Sequence, residues 1–268
     1  LPTRRSSDLY LQKLKRLIAF RTGLKIREKE EGKLLALVQS RMSSHPSNTL
    51  EEYYRLLARS EKGPDSQEWN TLIHSLVIGE SYFFRDPDHF QLFKTCLFPE
   101  FIERRKNKRF LRIWSAGCSS GEEPYSIAIL LREMILDISR WDIFILATDI
   151  DPFLIEKAMA GVYAPWSFRS MPEEIKRKYF SPFQKAWKLD ETIRRMVTFK
   201  PGNLVKDICP DLVSWAYHMD LIICRNVFIY FEPEAISSVL WKFAKTLAHG
   251  GYFTTGPTEL YGQDMPLF

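Results

Sequence analysis

The stretch Leu111-Arg-Ile-Trp-Ser-Ala-Gly-Cys-Ser-Ser-Gly-Glu-Glu-Pro-Tyr-Ser126 decides the fold. It opens as an apolar, β-prone run, passes through a tight turn of small residues, and enters a helix whose first turn carries Glu122 and Glu123. Ser120 is the expected N-cap, with Glu123 three residues on as in a capping box and Pro124 suited to a first helical turn. A strand, a glycine turn and a helix in this order is how α/β proteins bring backbone N–H groups to a nucleotide-like ligand. Two carboxylates at that helix start would repel a phosphate. The group facing the turn is therefore expected to be cationic, or to present an ammonium.

Downstream, short β-prone runs recur at 142–148, 196–199, 221–224 and 251–255, after the first at 111–116. Helical patterns lie between several of them, at 122–136, 152–159 and 233–248. Strands alternating with helices predict an α/β fold built on a parallel, doubly wound sheet. The stretch 168–195 is too long for a simple crossover and is expected to form a small helical and β insert. Upstream, residues 10–76 read as helices. Thr49 to Glu52 carries a capping-box signature, and Asp65 to Glu68 repeats it before Trp69, Leu72, Ile73 and Leu76, which share one helical face. A further helix follows Asp86-Pro87, with Phe90, Phe93 and Leu97 as its core stripe. The expected division is a leader at 1–9, a helical domain at 10–84, a linker helix at 85–109 and the α/β domain at 110–268.

Composition bounds the rest. At 268 residues, 45% apolar and 26% charged, the chain has the make-up of an ordinary globular protein. No apolar run approaches the roughly 20 residues that span a bilayer, and no signal-peptide pattern opens the chain, so a cytoplasmic location is expected. Cys96, Cys118, Cys209 and Cys224 form no C-x-x-C pair and lie in apolar segments, which predicts buried, reduced thiols and no metal site. A net charge of +5 is mild and gives no ground for nucleic-acid binding. The first nine residues, Leu1-Pro-Thr-Arg-Arg-Ser-Ser-Asp-Leu9, differ in character from the rest and resemble a translated sequencing-adapter stretch.

Several residues could carry chemistry. The second strand ends in Thr148-Asp-Ile-Asp151. A carboxylate at that point of a doubly wound sheet can accept hydrogen bonds from a ribose diol, the role expected of Asp149. Asp151 precedes Pro152 and is expected to cap the next helix. Gly117 and Gly121 are separated by three residues, so the central glycine that admits a pyrophosphate is missing and a dinucleotide is disfavoured. In Glu80-Ser-Tyr-Phe-Phe-Arg-Asp86 the aromatics are expected to pack at the domain junction. Arg85 is placed either to grip a carboxylate or to pair with Asp88. His89 is expected to be a packed or capping histidine. Asn203 and Leu204 follow the third strand, Arg225 and Asn226 the fourth, all at the carboxyl edge where open α/β sheets bind ligands.

Taken together, Glu80-Ser-Tyr-Phe-Phe-Arg-Asp86, Trp114 to Ser126, Ala147-Thr-Asp-Ile-Asp151 and Cys224-Arg-Asn-Val-Phe-Ile-Tyr-Phe231 closely resemble the motifs of CheR-type chemoreceptor glutamate methyltransferases. The resemblance runs in order from about Ile78 to Glu259. It implies a class I, S-adenosylmethionine-dependent methyltransferase fold after a small helical domain, forming methyl esters on glutamates of chemoreceptor signalling helices. It also implies cofactor contacts at Ser81, Arg85, Glu122, Asp149, Asn203, Leu204, Arg225 and Asn226, with Arg85 the candidate catalytic residue and S-adenosylhomocysteine the product. Where the family often carries asparagine two positions before Ser81, this chain has Gly79. The residue chemistry agrees: Glu122 suits an ammonium, Asp149 a diol, and Asn203 with Leu204 a purine.

A glutamate acceptor has a reference pKa of about 4.3 and is ionised at neutral pH, so this chemistry needs no general base. The absence of a Ser/His/Asp or Cys/His arrangement is thus expected. Arg104-Arg-Lys-Asn-Lys-Arg109, with Lys13, Lys15 and Arg16, could receive an acidic receptor helix, although at least half of these charges read as solvated helix ends. Phe180 to Lys188 lacks the glycine-rich loop that would favour docking on a receptor tail. A monomer is expected. The alternatives are a catalytically silent module of the same fold, and a nicotinamide-dependent oxidoreductase disfavoured by the wide glycine spacing. Finally, a class I methyltransferase closes its sheet with a C-terminal hairpin. Met265-Pro-Leu-Phe268 supplies only its opening, so the fifth strand is expected to lack its outer neighbours, with roughly 15 to 25 further residues needed for two strands and a turn.

Overall fold

The structure, a computed structural model, describes residues 4–45, 47–59, 66–210 and 216–261. The chain divides into two units, one comprising Leu1–Ile78 with Leu204–Lys206 and Phe228–Val239, the other the remaining residues from Gly79 onward.

The first unit carries α1 (Arg4–Thr22), α2 (Glu31–Met42), α3 (Leu50–Arg59) and α4 (Ser66–Leu76). Residues 4–9 are helical and continuous with the rest of α1. Leu11, Leu14 and Ile18 recur at helical spacing and are buried with Leu34, Val38, Tyr53, Leu57 and Leu72. Each fully buried aliphatic side chain of this kind contributes about 1.5–3 kcal/mol. At α3 the Glu52 N–H donates to Thr49 Oγ1 at 3.2 Å, while the Glu52 carboxylate accepts from Asn48 N at 2.8 Å, one residue before the expected partner. Asp65 lies outside the described residues. Beneath these helices Glu68 is buried, accepting from Arg41 Nε at 3.0 Å, Tyr53 OH at 2.6 Å and His45 Nε2 at 2.6 Å. Burial alone would raise its pKa, but the hydrogen bonds from Arg41, Tyr53 and His45 outweigh that and hold the carboxyl below its usual value. The segment 228–232 joins this unit through Lys25 N to Tyr230 O at 2.7 Å and Glu232 N to Gly23 O at 2.8 Å.

The second unit begins with α5 (Pro87–Leu92), a π-helical stretch Phe93–Leu97, and α6 (Phe98–Arg105). Phe90, Phe93 and Leu97 are buried as their spacing predicts. Then β1 (Phe110–Ala116), α7 (Glu122–Met134), β2 (Asp142–Asp149) and α8 (Pro152–Ala160) follow in strict alternation. β3 (Val162–Tyr163), α9 (Glu173–Tyr179), β4 (Phe180–Phe183), β5 (Ala186–Leu189) and α10 (Glu191–Arg194) form the insert. β6 (Val197–Pro201), β7 (Met219–Cys224), α11 (Pro233–Thr246) and β8 (Leu247–Thr255) complete the order. The main sheet runs β6-β2-β1-β7-β8 with every pair parallel, and the insert is a separate antiparallel sheet, β3-β5-β4. A parallel strand with both faces covered is buried along its length, as β7 is at every residue; its one charged residue, Asp220, accepts from Arg105 Nε at 3.1 Å.

The expected strands are all present. β8 starts four residues earlier than its β-prone core because its pairing with β7 shifts register between Met219 and Leu221, carrying the strand through Gly250 at φ 71. Among the described residues β8 is an edge of a five-stranded sheet. The residues expected to open a hairpin, 265–268, lie outside the described ones.

Two expectations are corrected. Of the aromatics expected at the domain junction, Phe83 and Phe84 pack within the second unit. Phe83 is fully buried in the second unit, edge-on to Tyr163 and Phe180 and stacked on Phe168, while Phe84 packs against Phe90. Only Cys118 and Cys224 are buried; Cys96 is exposed and Cys209 half-buried, because the helix face and loop that carry them turn outward. No described helix is long and apolar enough to cross a membrane.

Candidate functional site

The turn after β1 is held by the end of β2. Gly117 N and Cys118 N both donate to Thr148 O, at 2.8 and 2.9 Å, and Trp114 Nε1 donates to Thr148 Oγ1 at 2.9 Å. Ser119 N then reaches Asp149 Oδ2 at 2.7 Å, while Asp151 N donates to Asp149 Oδ1 at 3.0 Å. Burial pushes the Asp149 pKa up, opposed by these backbone N–H bonds. Asp151 caps α8, accepting from Phe153 N at 2.9 Å, as its place before Pro152 predicts.

Both glycines are demanded by geometry. Gly117 has φ 80, and a methyl there would overlap Val227 Cγ2. Gly121 has φ 91, and a methyl would lie 2.8 Å from Ala158 Cβ and 3.1 Å from the Tyr163 hydroxyl. This tightness displaces the expected cap. Gly121, not Ser120, occupies the N-cap of α7, and the Ser120 hydroxyl instead donates to Glu122 Oε2 at 2.8 Å. The Ser120–Glu123 capping box is accordingly absent: a hydroxyl one residue before the N-cap, beside a left-handed glycine, is taken by the nearer carboxylate.

Of the expected site residues, Glu122 is 1% exposed, its other oxygen accepting from Ser167 Oγ of the insert at 3.1 Å. Arg225 is more enclosed than its place at a strand end suggests, its side chain only 1% exposed. Its Nη1 donates to Glu123 Oε2 at 3.0 Å and its Nη2 to the Arg85 carbonyl at 2.9 Å and to the Asp86 carboxylate, while its buried Nε has no protein partner among the described residues. Glu123 also accepts from Ser115 Oγ at 2.7 Å. Arg85 does not pair with Asp88. Its Nη1 donates to Glu80 O at 3.0 Å and its guanidinium stands 5.7 Å from the Tyr82 ring, leaving it half-buried on the same segment. Ser81 is half-buried beside it. Ser119 Oγ donates to Gly79 O at 3.1 Å, so the residue where the family often has asparagine meets the β1 turn through its backbone.

Asn203 follows β6 and is fixed by its N–H to Asp207 Oδ2 at 2.6 Å, while Leu204 groups with the first unit. Asn226 follows β7 at φ 59, with its N–H bonded to Glu259. His89 is a packed histidine, edge-on to Phe93; burial first, then the Arg225 charge, lowers its pKa to about 4. The carboxyl ends of β1, β2 and β7 thus bring Glu122, Glu123, Asp149, Arg225 and the backbone of Arg85 together in the second unit.

Much of the basic stretch is engaged within that unit: Arg104 Nη1 donates to Gly250 O at 2.6 Å, Arg105 Nε to Asp220 Oδ1 at 3.1 Å, and Arg109 lies 3.1 Å from Asp137. Sequence reading missed Ser167, Asp86 and Glu259. Their partners are distant in sequence: Asp86 meets Arg225, Ser167 meets Glu122 and Glu259 meets Asn226.

Two glycines that a Cβ would jam, the Asp149 carboxylate at the end of β2, and carboxylates near the buried Arg225 Nε form a set whose chemistry suits a ligand with ammonium, diol and carboxylate groups. S-adenosylmethionine has all three. Residues 79–266 match the CheR methyltransferase, SAM binding domain. A chemotaxis protein methyltransferase of Borreliella burgdorferi is 32% identical over 93% of this chain and 87% of its own length. A probable chemotaxis protein methyltransferase of Rhizobium etli is 30% identical over 84% of each chain. The probable biofilm formation methyltransferase WspC of Pseudomonas aeruginosa is 32% identical over 92% of this chain and 56% of its own.

Proposed function

Because this chain belongs to the CheR methyltransferase family, we propose that it moves the methyl group of S-adenosylmethionine onto glutamate side-chain carboxylates of chemoreceptor signalling helices in the cytoplasm, acting as a monomer. The observation that carries the reading is Asp149 at the end of β2, fixed by Ser119 N of the glycine turn, with two glutamates opening α7 beside it.

In this reading Asp149 accepts the ribose hydroxyls, and Asn203 with Leu204 meets the adenine. Glu122, already satisfied by Ser120 and Ser167, sets the negative field for the methionyl ammonium. Ser81, Asn226 and Arg225 complete the cofactor contacts; Arg225 does so mainly by holding Arg85 and Asp86 in place. Arg85 orients a carboxylate, of the cofactor or of the incoming glutamate. The cofactor supplies a methyl already activated on a sulfonium. A C–O bond forms as the S–C bond breaks, cancelling one positive and one negative charge, and no proton moves. The protein's task is alignment and exclusion of water.

The test is transfer of radiolabelled methyl to receptor-enriched membranes. Label released as methanol at high pH identifies a carboxyl ester, whereas alkali-stable label indicates N-methylation and removes the glutamate assignment.

A further inference from the structure

We infer that Glu259 is a positioning residue for methyl transfer, its carboxylate holding the turn after β7 in register with the glycine turn after β1. The inference rests on the methyltransferase reading and adds to it a residue outside the expected contacts.

Glu259 is 9% exposed. Its Oε1 accepts from the backbone N–H groups of Asn226 and of Gly256, the latter at 3.1 Å, and its Oε2 accepts from Val227 N at 3.1 Å. β7 and β8 are parallel neighbours with Cys224 opposite Thr255, so the two turns that follow them lie side by side, and one carboxylate staples both. An ionised carboxylate is acceptor-only with about four lone-pair sites, which suits three convergent donors. Gly256 makes room for it, since a methyl there would overlap Glu259 Oε1.

The staple reaches the site through backbone. Asn226 is held at φ 59, a region that non-glycine residues seldom occupy, and its own N–H is one of the three donors. The next residue, Val227, lies against Gly117 so closely that a Cβ on Gly117 would collide with it. Gly117 N and Cys118 N bond Thr148 O, and Ser119 N bonds Asp149. A shift of the 226–227 backbone therefore moves Asn226 directly and the β1 turn through Val227.

The test compares wild type with Glu259→Gln and Gly256→Ala by titration calorimetry with S-adenosylhomocysteine and by methyl-transfer kinetics, well below the melting temperature. Because both oxygens of Glu259 accept, either orientation of a glutamine amide sets an NH2 against a backbone N–H. The expected result is a Kd for S-adenosylhomocysteine weakened about tenfold or more in both variants, with KM for the cofactor raised in step. A lower melting temperature with unchanged Kd and KM would reduce Glu259 to a structural role and overturn the inference. Wild type that fails to bind S-adenosylhomocysteine would instead overturn the methyltransferase reading. Should Glu259→Gln not fold, Gly256→Ala carries the comparison. Amide exchange on wild type stands independently of both: the Asn226 and Val227 amides are expected to be protected, and exchange at open-loop rates would overturn the assignment.

Discussion

Ser119 donates its backbone N–H to Asp149 Oδ2 at 2.7 Å, locking the turn that leaves β1 to the end of β2. One oxygen of Asp149 thereby shapes the loop, while the other accepts from Asp151 N at the start of the next helix. These two backbone bonds fix the orientation of the Asp149 carboxylate within the protein itself, so the contact proposed for it would need no rearrangement of that side chain.

Asp149→Ala is expected to weaken S-adenosylmethionine and S-adenosylhomocysteine together by about 1.5–3 kcal/mol, the range for hydrogen bonds to a charged group. Calorimetry on the folded variant checks this; unchanged affinity removes Asp149 from the site.

Arg85→Ala should lower turnover strongly while the fold persists, since among the described residues its guanidinium bonds a local carbonyl, Glu80 O, and leans toward Tyr82. Near-normal turnover would relegate Arg85 to that local role.

Arg225→Lys should behave differently, costing stability as well as turnover. A lysine keeps the charge but cannot span Glu123, Asp86 and the Arg85 carbonyl, and the charge-assisted hydrogen bonds left unmade cost about 1.5–3 kcal/mol. Denaturation midpoints of the two arginine variants would separate them; equal stability would contradict the difference.

Gly121→Ala is expected to destabilise by about 1–3 kcal/mol, combining a left-handed φ of 91 with a methyl 2.8 Å from Ala158 Cβ. Urea unfolding measures it, and a neutral substitution would mean that α8 yields easily.

Glu68 makes stability depend on pH. Its folded pKa is lowered, so its contribution is fully present above the unfolded value, about 4.3, and is lost as pH falls through the folded value. Glu68→Gln should remove about 1.5–3 kcal/mol at neutral pH and flatten the stability profile below about pH 5. Parallel acid profiles for wild type and variant would show that the carboxylate is not the titrating group.

The alternation of β-prone and helical runs was legible because each element is encoded locally, by side-chain period and punctuation. Asp151 capped its helix as read, since Asp before Pro is a signal contained in two adjacent residues. Ser120 did not, because the N-cap was decided by contacts of Gly121 with Ala158, Phe199 and Tyr163, dozens of residues away. Phe83 was misplaced for the same reason: its neighbours Tyr163, Phe168 and Phe180 belong to an insert whose path no local pattern reveals.

By itself, the sequence determined the class of fold, the strand that ends in Asp149 and the helix that starts with Glu122 and Glu123. These follow from periodicity and from charge within a few residues. Only the tertiary structure decided that Arg225 is enclosed by Glu123 and Asp86, that Glu122 is satisfied by Ser120 and Ser167, and that Glu259 staples two turns. Those relationships join residues up to 139 positions apart, and they exist because parallel strands bring their carboxyl ends to one edge, where buried charges must find partners or forfeit their solvation.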